Sequence, residues 1–199
     1  MSLPRSLAWP LCLVALCAFT PAAYSAQPSK HAATNQHASK GTAVSLLGGK
    51  LRFTLPAGYQ SEPLPPGDAS TGTAGAQGTM YMNEAQKRIV VATEIPVQNT
   101  PGAPATGDDA FLAGASTGFI GKQAQALPDF HKTQEKRISL NGLATQQIDA
   151  TASIGGGKTL NTYFIAGAGL HMAVVQVISR ENDRAGHEAA VKRITAGSH

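Results

Sequence analysis

The chain has 199 residues, of which 42% are hydrophobic and 14% charged, with a formal net charge of +4. That excess is small and scattered, and no run of lysine and arginine interleaved with aromatics occurs, which excludes the usual nucleic-acid-binding surface. Both cysteines, Cys12 and Cys17, lie near the start. A chain processed beyond them has no thiol, no disulfide and no sulfur ligand for a metal.

Residues 1–25 read as a secretory signal peptide. Arg5 supplies the positive start, Leu7 to Phe19 the apolar core, and Ala22-Ala23-Tyr24-Ser25-Ala26 the small residues before a cleavage site. The apolar run is too short to span a bilayer. Cleavage after Ser25 puts Ala23 and Ser25 where small residues are required, whereas cleavage after Ala26 would put Tyr24 there. Val14-Ala15-Leu16-Cys17 also resembles the signal for lipid attachment, with Cys17 as the acceptor, although Leu16 is larger than that signal prefers. A lipid there would tether the domain to a membrane surface. Removing the signal peptide takes away Arg5 and none of the 12 acidic residues, so +4 falls to +3.

Residues 26–42 have nothing to bury and read as a flexible linker. His31 and His37 lie in it, without the fixed geometry a metal site needs. Residues 43–196 are then one domain, large enough for a real core.

Within it, Val44 to Leu47 and Lys50 to Leu55 predict two strands around Gly48-Gly49, the second alternating Leu51, Phe53 and Leu55 with polar residues. Gln60 to Gln77, rich in Pro, Gly, Ser and Thr, reads as a long mobile loop. Thr79 to Asn83 and Arg88 to Ile95 predict a hairpin. After a loop from Asn99 to Gly107, Asp108 and Asp109 open an amphipathic helix ended by Pro128. Phe111, Ala115, Phe119 and Gln123 mark its inner stripe. His131 to Leu140 and Leu143 to Ala152 predict a hairpin about Asn141-Gly142, and Lys158 to Ala166 and Leu170 to Ser179 another about Gly167-Ala168-Gly169. Asp183 to Ala196 is a second helix. The order ββ-ββ-α-ββββ-α predicts an α+β domain, an antiparallel β-sheet with helices packed against it.

Three motif matches can be weighed in that setting. Ala152-Ser-Ile-Gly-Gly-Gly-Lys-Thr159 fits the loosest form of a phosphate-binding loop, but such a loop must open a helix, and the residues after Thr159 read as a strand. The glycines are read as a turn. Gly114-Ala-Ser116-Thr-Gly118 matches a hydrolase nucleophile elbow, and the chain order allows Ser116, then Asp149 or Asp183, then His171 or His187. An elbow joins a strand to a helix, yet Ser116 falls inside the helix, where small residues are read as letting it approach the sheet. The histidines show no His-x-x-x-His spacing, and His171 reads as a strand residue. Glu84, Glu94, Asp129 and Glu135 pair only through tertiary contacts that spacing does not reveal.

The opening VSLLGGKLRFTLPAGY, residues 44–59, resembles the start of the mature domain in DcrB-like envelope proteins. The hairpin from Met80 to Ile95, the middle helix, RISLNGLATQQIDA, HMAVVQVIS and the last helix follow in the same order, over residues 43–196. The resemblance implies a PsbP-like α/β sandwich in a bacterial protein facing the periplasm, associated with inner-membrane and lipoprotein biogenesis. It carries no catalytic residues across and implies no cofactor. The expected function is therefore a non-catalytic module that binds an envelope protein or a lipid through its long loops and exposed sheet face. The alternatives are a serine hydrolase using Ser116 and a chaperone for hydrophobic segments of secreted effectors. Relatives of the chaperone kind act in the cytoplasm without a signal peptide, so Leu7 to Ser25 argues against the latter.

Overall fold

The computed structural model describes residues 41–68 and 73–196. The signal peptide, Cys12, Cys17, Ser25, Ala26, His31 and His37 lie outside the described residues. The strands are β1 (Thr42–Leu46), β2 (Leu51–Leu55), β3 (Gln60–Pro63), β4 (Gln77–Asn83), β5 (Arg88–Pro96), β6 (His131–Leu140), β7 (Leu143–Ile154), β8 (Gly157–Ala168) and β9 (His171–Arg180). Helix α1 (Asp109–Ala126) separates β5 from β6, and α2 (Arg184–Ala196) follows β9. This is the predicted α+β architecture.

β1 and β2 form a separate antiparallel hairpin, with Val44 opposite Phe53. The other strands make one antiparallel seven-stranded sheet in the order β3-β4-β5-β9-β8-β7-β6. β6 to β9 are a meander that starts at the far edge and brings β9 back against β5, with Val90 opposite Val177. Asn141 and Gly142 both have positive φ (51° and 80°), as do Gly155 and Gly156 (60° and 77°), the geometry of two-residue hairpin turns that twist with their strands. The phosphate-loop match is thus the β7–β8 turn, with Lys158 and Thr159 on β8.

Successive side chains of a strand face opposite sides, so the central strands feed two cores. Phe164, Val175 and Val177 pack with Phe53, Leu51 and Ile194 beneath the β1–β2 hairpin and α2. Tyr163, Ile165 and Val174 pack on the other side with Leu112, Phe119 and Ile148 beneath α1. Two backbone N–H groups fix the hairpin to the sheet: Leu47 donates to Glu94 Oε2 (2.8 Å) and Arg52 to Asn141 Oδ1 (2.8 Å).

Three local expectations are corrected. The segment 60–77 is not one loop, because Gln60–Pro63 pairs with β4 as the exposed edge strand β3. The β8–β9 turn lies at Gly169-Leu170, and Gly167 is within β8, where a Cβ would stand 2.1 Å from the Thr106 carbonyl oxygen. Gly167 therefore serves a close approach of the β5–α1 loop. On α1, a Cβ at Gly114, Gly118 or Gly121 would meet nothing within 4 Å. These glycines face solvent, and Leu112 and Ser116 are the residues buried against the sheet.

Candidate functional site

The hydrogen-bonding side chains that sequence reasoning singled out fall on opposite faces of the sheet. Ser116, 1% exposed, is on the inner side of α1 and donates to Glu135 Oε1 of β6. Glu135 also accepts from Lys132 Nζ (2.5 Å) and Gln146 Nε2 (2.9 Å). The Lys132 ammonium first, and then the Ser116 hydroxyl, hold its carboxyl below the usual range. His187 and Asp183 belong to the opposite face, under α2. His171 opens β9 and lines a cavity of about 400 Å³ with Glu94 and residues of β1 and β4. The order Ser116, Asp149 or Asp183, His171 or His187 is thus not assembled in space.

Glu84, Glu94, Asp129 and Glu135 do not pair with one another. The Glu84 carbonyl accepts from Lys87 N in the β4–β5 turn. Asp129 accepts from the hydroxyl (2.6 Å) and amide (2.9 Å) of Ser153, which hold its carboxyl below the usual range. Among the described residues no group of three or more His, Cys, Asp and Glu side chains is arranged to hold a metal ion.

Beneath α2 lies a polar chain that spacing did not reveal. Arg88 Nε donates to Ser179 Oγ (3.1 Å), Ser179 meets His187 Nδ1 (3.0 Å), His187 Nε2 meets Thr162 Oγ1 (2.9 Å), and Thr162 donates to Asp149 Oδ1 (2.6 Å). Arginine can only donate and a carboxylate only accept, so the direction of every link is determined. Ser179 gives its proton to Nδ1, and His187 carries its proton on Nε2. Arg88 also donates to Gln86 (2.7 Å) and pairs with Asp183 (2.5 Å). Asp183 accepts from Gly186 N as well, capping α2. A Cβ at Gly186 would fall 2.2 Å from Arg88 Nη2 and 2.4 Å from the Asp183 carboxylate, so a larger residue there would displace this pair. The available signal was parity: Thr162 and Ser179 occupy the same strand faces as buried Phe164 and Val177.

The chain ends in a cleft of about 780 Å³ between α2 and the faces of β6, β7 and β8 that the β1–β2 hairpin does not cover. Asp149, Gln147 and Thr162 form its floor, while Lys136 on one wall and Arg184 and Lys192 on the other reach its rim.

A second surface forms at one end of the sheet. Val97 N donates to the Leu170 carbonyl (2.8 Å) and Thr106 Oγ1 to the Gly169 carbonyl (2.9 Å), so the β5–α1 loop is fastened to the β8–β9 turn. The loop before β4 joins them where Gly75 abuts Pro96. Leu170, 52% exposed, is the large hydrophobic residue left open to solvent among the described residues.

No family model matches the chain, and no curated protein matches it significantly. Solved structures do. Cyanobacterial PsbP (CyanoP) from Synechocystis sp. PCC 6803 superposes with a TM-score of 0.55 at 7% identity, covering 82% of this chain and 96% of that one. LpqN, involved in cell envelope biogenesis of Mycobacterium tuberculosis, gives 0.43 at 14% identity, covering 80% and 84%. PA94 from Pseudomonas aeruginosa, a protein of unknown function, gives 0.42 at 13% identity, covering 77% and 92%. At such identities the likeness to PsbP is one of fold, and it bears out the PsbP-like architecture expected from sequence.

Proposed function

We propose that the protein is an exported, non-catalytic envelope protein of the DcrB-like kind, processed after Ser25 or lipidated at Cys17, which binds a protein or lipid partner through the loop-bearing end of its sheet. The observation that carries this reading is the gathering of both Gly/Pro-rich loops at one end of the sheet, the β5–α1 loop bonded to the β8–β9 turn and the loop before β4 against Pro96, with Leu170 exposed among them. Loops held on a rigid scaffold are where binding concentrates, and Leu170 gives that end an apolar contact residue. The non-catalytic half of the reading is supported by Ser116, whose hydroxyl is enclosed and spent on Glu135.

The test is photo-crosslinking in cells of the native host, with the reactive side chain at position 170 and, as control, at Ala85 in the β4–β5 turn at the opposite end. A discrete adduct at 170 and none at 85 is expected, together with a Leu170→Ser variant that melts like the native chain but loses function in the host. Equal or absent crosslinking at both positions would overturn the assignment.

A further inference from the structure

The cleft beside α2 is remote from the loop end and has its own electrostatic pattern. On its floor the Asp149 carboxylate accepts from Thr162 (2.6 Å) and twice from Gln147 Nε2 (3.1 Å each), and it makes no ion pair among the described residues. On the rim the charges are inverted. Lys136, Arg184 and Lys192 are exposed and likewise join none of the ion pairs there, although Glu188 lies between the latter two on α2. A carboxylate below and cations above, neither neutralised by the other, match a ligand with the reverse arrangement.

Gln134 is opposite Asp149 and Lys136 opposite Gln147, so Lys136 is the diagonal neighbour of Asp149 across the β6–β7 pair, with about 7–8 Å between their Cα atoms. Lys136, Arg184 and Lys192 bring more than one cation to the rim, which suits the several acceptor oxygens of a phosphate better than a lone carboxylate. The ligand class is then an ammonium and a phosphate on a short linker. The lining contains no Phe, Tyr or Trp ring, and a quaternary ammonium is normally held by the faces of such rings. A primary ammonium, with N–H groups to donate, suits a floor of carboxylate, amide and hydroxyl oxygens.

We propose that this cleft binds a phosphoethanolamine-type zwitterion, its ammonium on Asp149 and its phosphate between Lys136 and Lys192. The same chemistry is offered by a free phosphomonoester and by the headgroup of an amino-phospholipid.

Calorimetric titration of the full chain with O-phosphoethanolamine tests the site, with phosphocholine, ethanolamine, glycine and inorganic phosphate as controls. Phosphoethanolamine is expected to bind most tightly. Lys136→Gln combined with Lys192→Gln, both exposed and outside the buried chain, should weaken it about five- to ten-fold, the scale of two partly exposed charge contacts, with the melting temperature unchanged. Asp149→Asn, which still offers Thr162 an acceptor, should abolish the preference over inorganic phosphate. Glycine, phosphocholine or phosphate binding as tightly as phosphoethanolamine, or a lysine double variant that binds like the native chain, would overturn the proposal. Co-sedimentation with vesicles of equal phosphatidylethanolamine and phosphatidylcholine, against phosphatidylcholine alone, separates the sources. Selective sedimentation assigns the lipid headgroup, and binding of the free compound without it assigns a soluble ligand.

Discussion

His187 is 7% exposed and sits between two hydroxyl groups, with Ser179 donating to one ring nitrogen and Thr162 accepting from the other. Protonation of Nδ1 would place N–H against a hydroxyl already oriented to donate. Burial first, with Arg88 and Arg184 adding to it against the opposing pull of Asp149 and Asp183, lowers its pKa from 6.5 to about 4. The unfolded chain therefore takes up a proton on this imidazole as pH falls through about 6.5, and the folded chain does so only near 4. Stability from this group is complete above the upper value and declines through the window below it, by on the order of 3 kcal/mol. Urea unfolding at pH 7.5 and pH 4.5 should show that decline in the native chain. His187→Asn should be less stable at pH 7.5 and show a smaller difference between the two pH values. An equal difference in both proteins would mean that carboxylates alone set the acid response.

At the scale of elements, α1 is a helix carrying three glycines on its wet side. Nothing lies within 4 Å of where their Cβ atoms would be, so alanine at Gly114, Gly118 and Gly121 removes backbone freedom from the unfolded chain without touching a neighbour. Each substitution should stabilise by about 0.5–1 kcal/mol, and the triple variant should melt several degrees higher. A lower melting temperature would mean that backbone freedom at these glycines is not what limits the helix. The helix itself was legible from the two aspartates at its start and the proline after it, but its buried row was not. Apolar spacing pointed to Phe111, Ala115 and Phe119, which do pack against the core, while Ser116 enters through its bond to Glu135, a partner that no local pattern announces. β3 was hidden for a related reason. Its four residues are all exposed and end in Pro63, so no alternation betrays them, and only the register with β4 makes them a strand. The β6–β9 meander was readable nearly residue by residue, because each turn glycine and each buried parity repeats. The cleft was illegible, since it depends on which half of a face the β1–β2 hairpin leaves bare.

Across the whole molecule, one sheet supports a helix on one side and a hairpin plus a helix on the other, and polar staples fix the hairpin in place. Asn141 serves two of these levels at once, supplying the positive φ of the β6–β7 turn and accepting the Arg52 amide of β2. Asn141→Gly keeps the turn and loses the staple. It should cost about 1 kcal/mol and raise amide exchange at Arg52 ahead of the meander, whereas Asn141→Asp, which retains an acceptor, should not. Global loosening in the glycine variant would mean that the hairpin and the sheet open as one unit. The sheet's two edges are guarded against pairing with other chains. β3 is short and ends in proline, and β6 carries Lys132, Lys136 and Arg137 together with a bulge between Lys132 and Gln134. The adjacency of β5 and β9 has a kinetic consequence. While the chain is being synthesised, the meander can zip through short turns, but β5 must wait with an unsatisfied edge until the last strand has emerged, and closing that distant pair carries a large loop-closure entropy cost. For most of its synthesis the N-terminal third of the domain is thus a hydrophobic ribbon without its partner, the interval in which a holdase would have the most to protect.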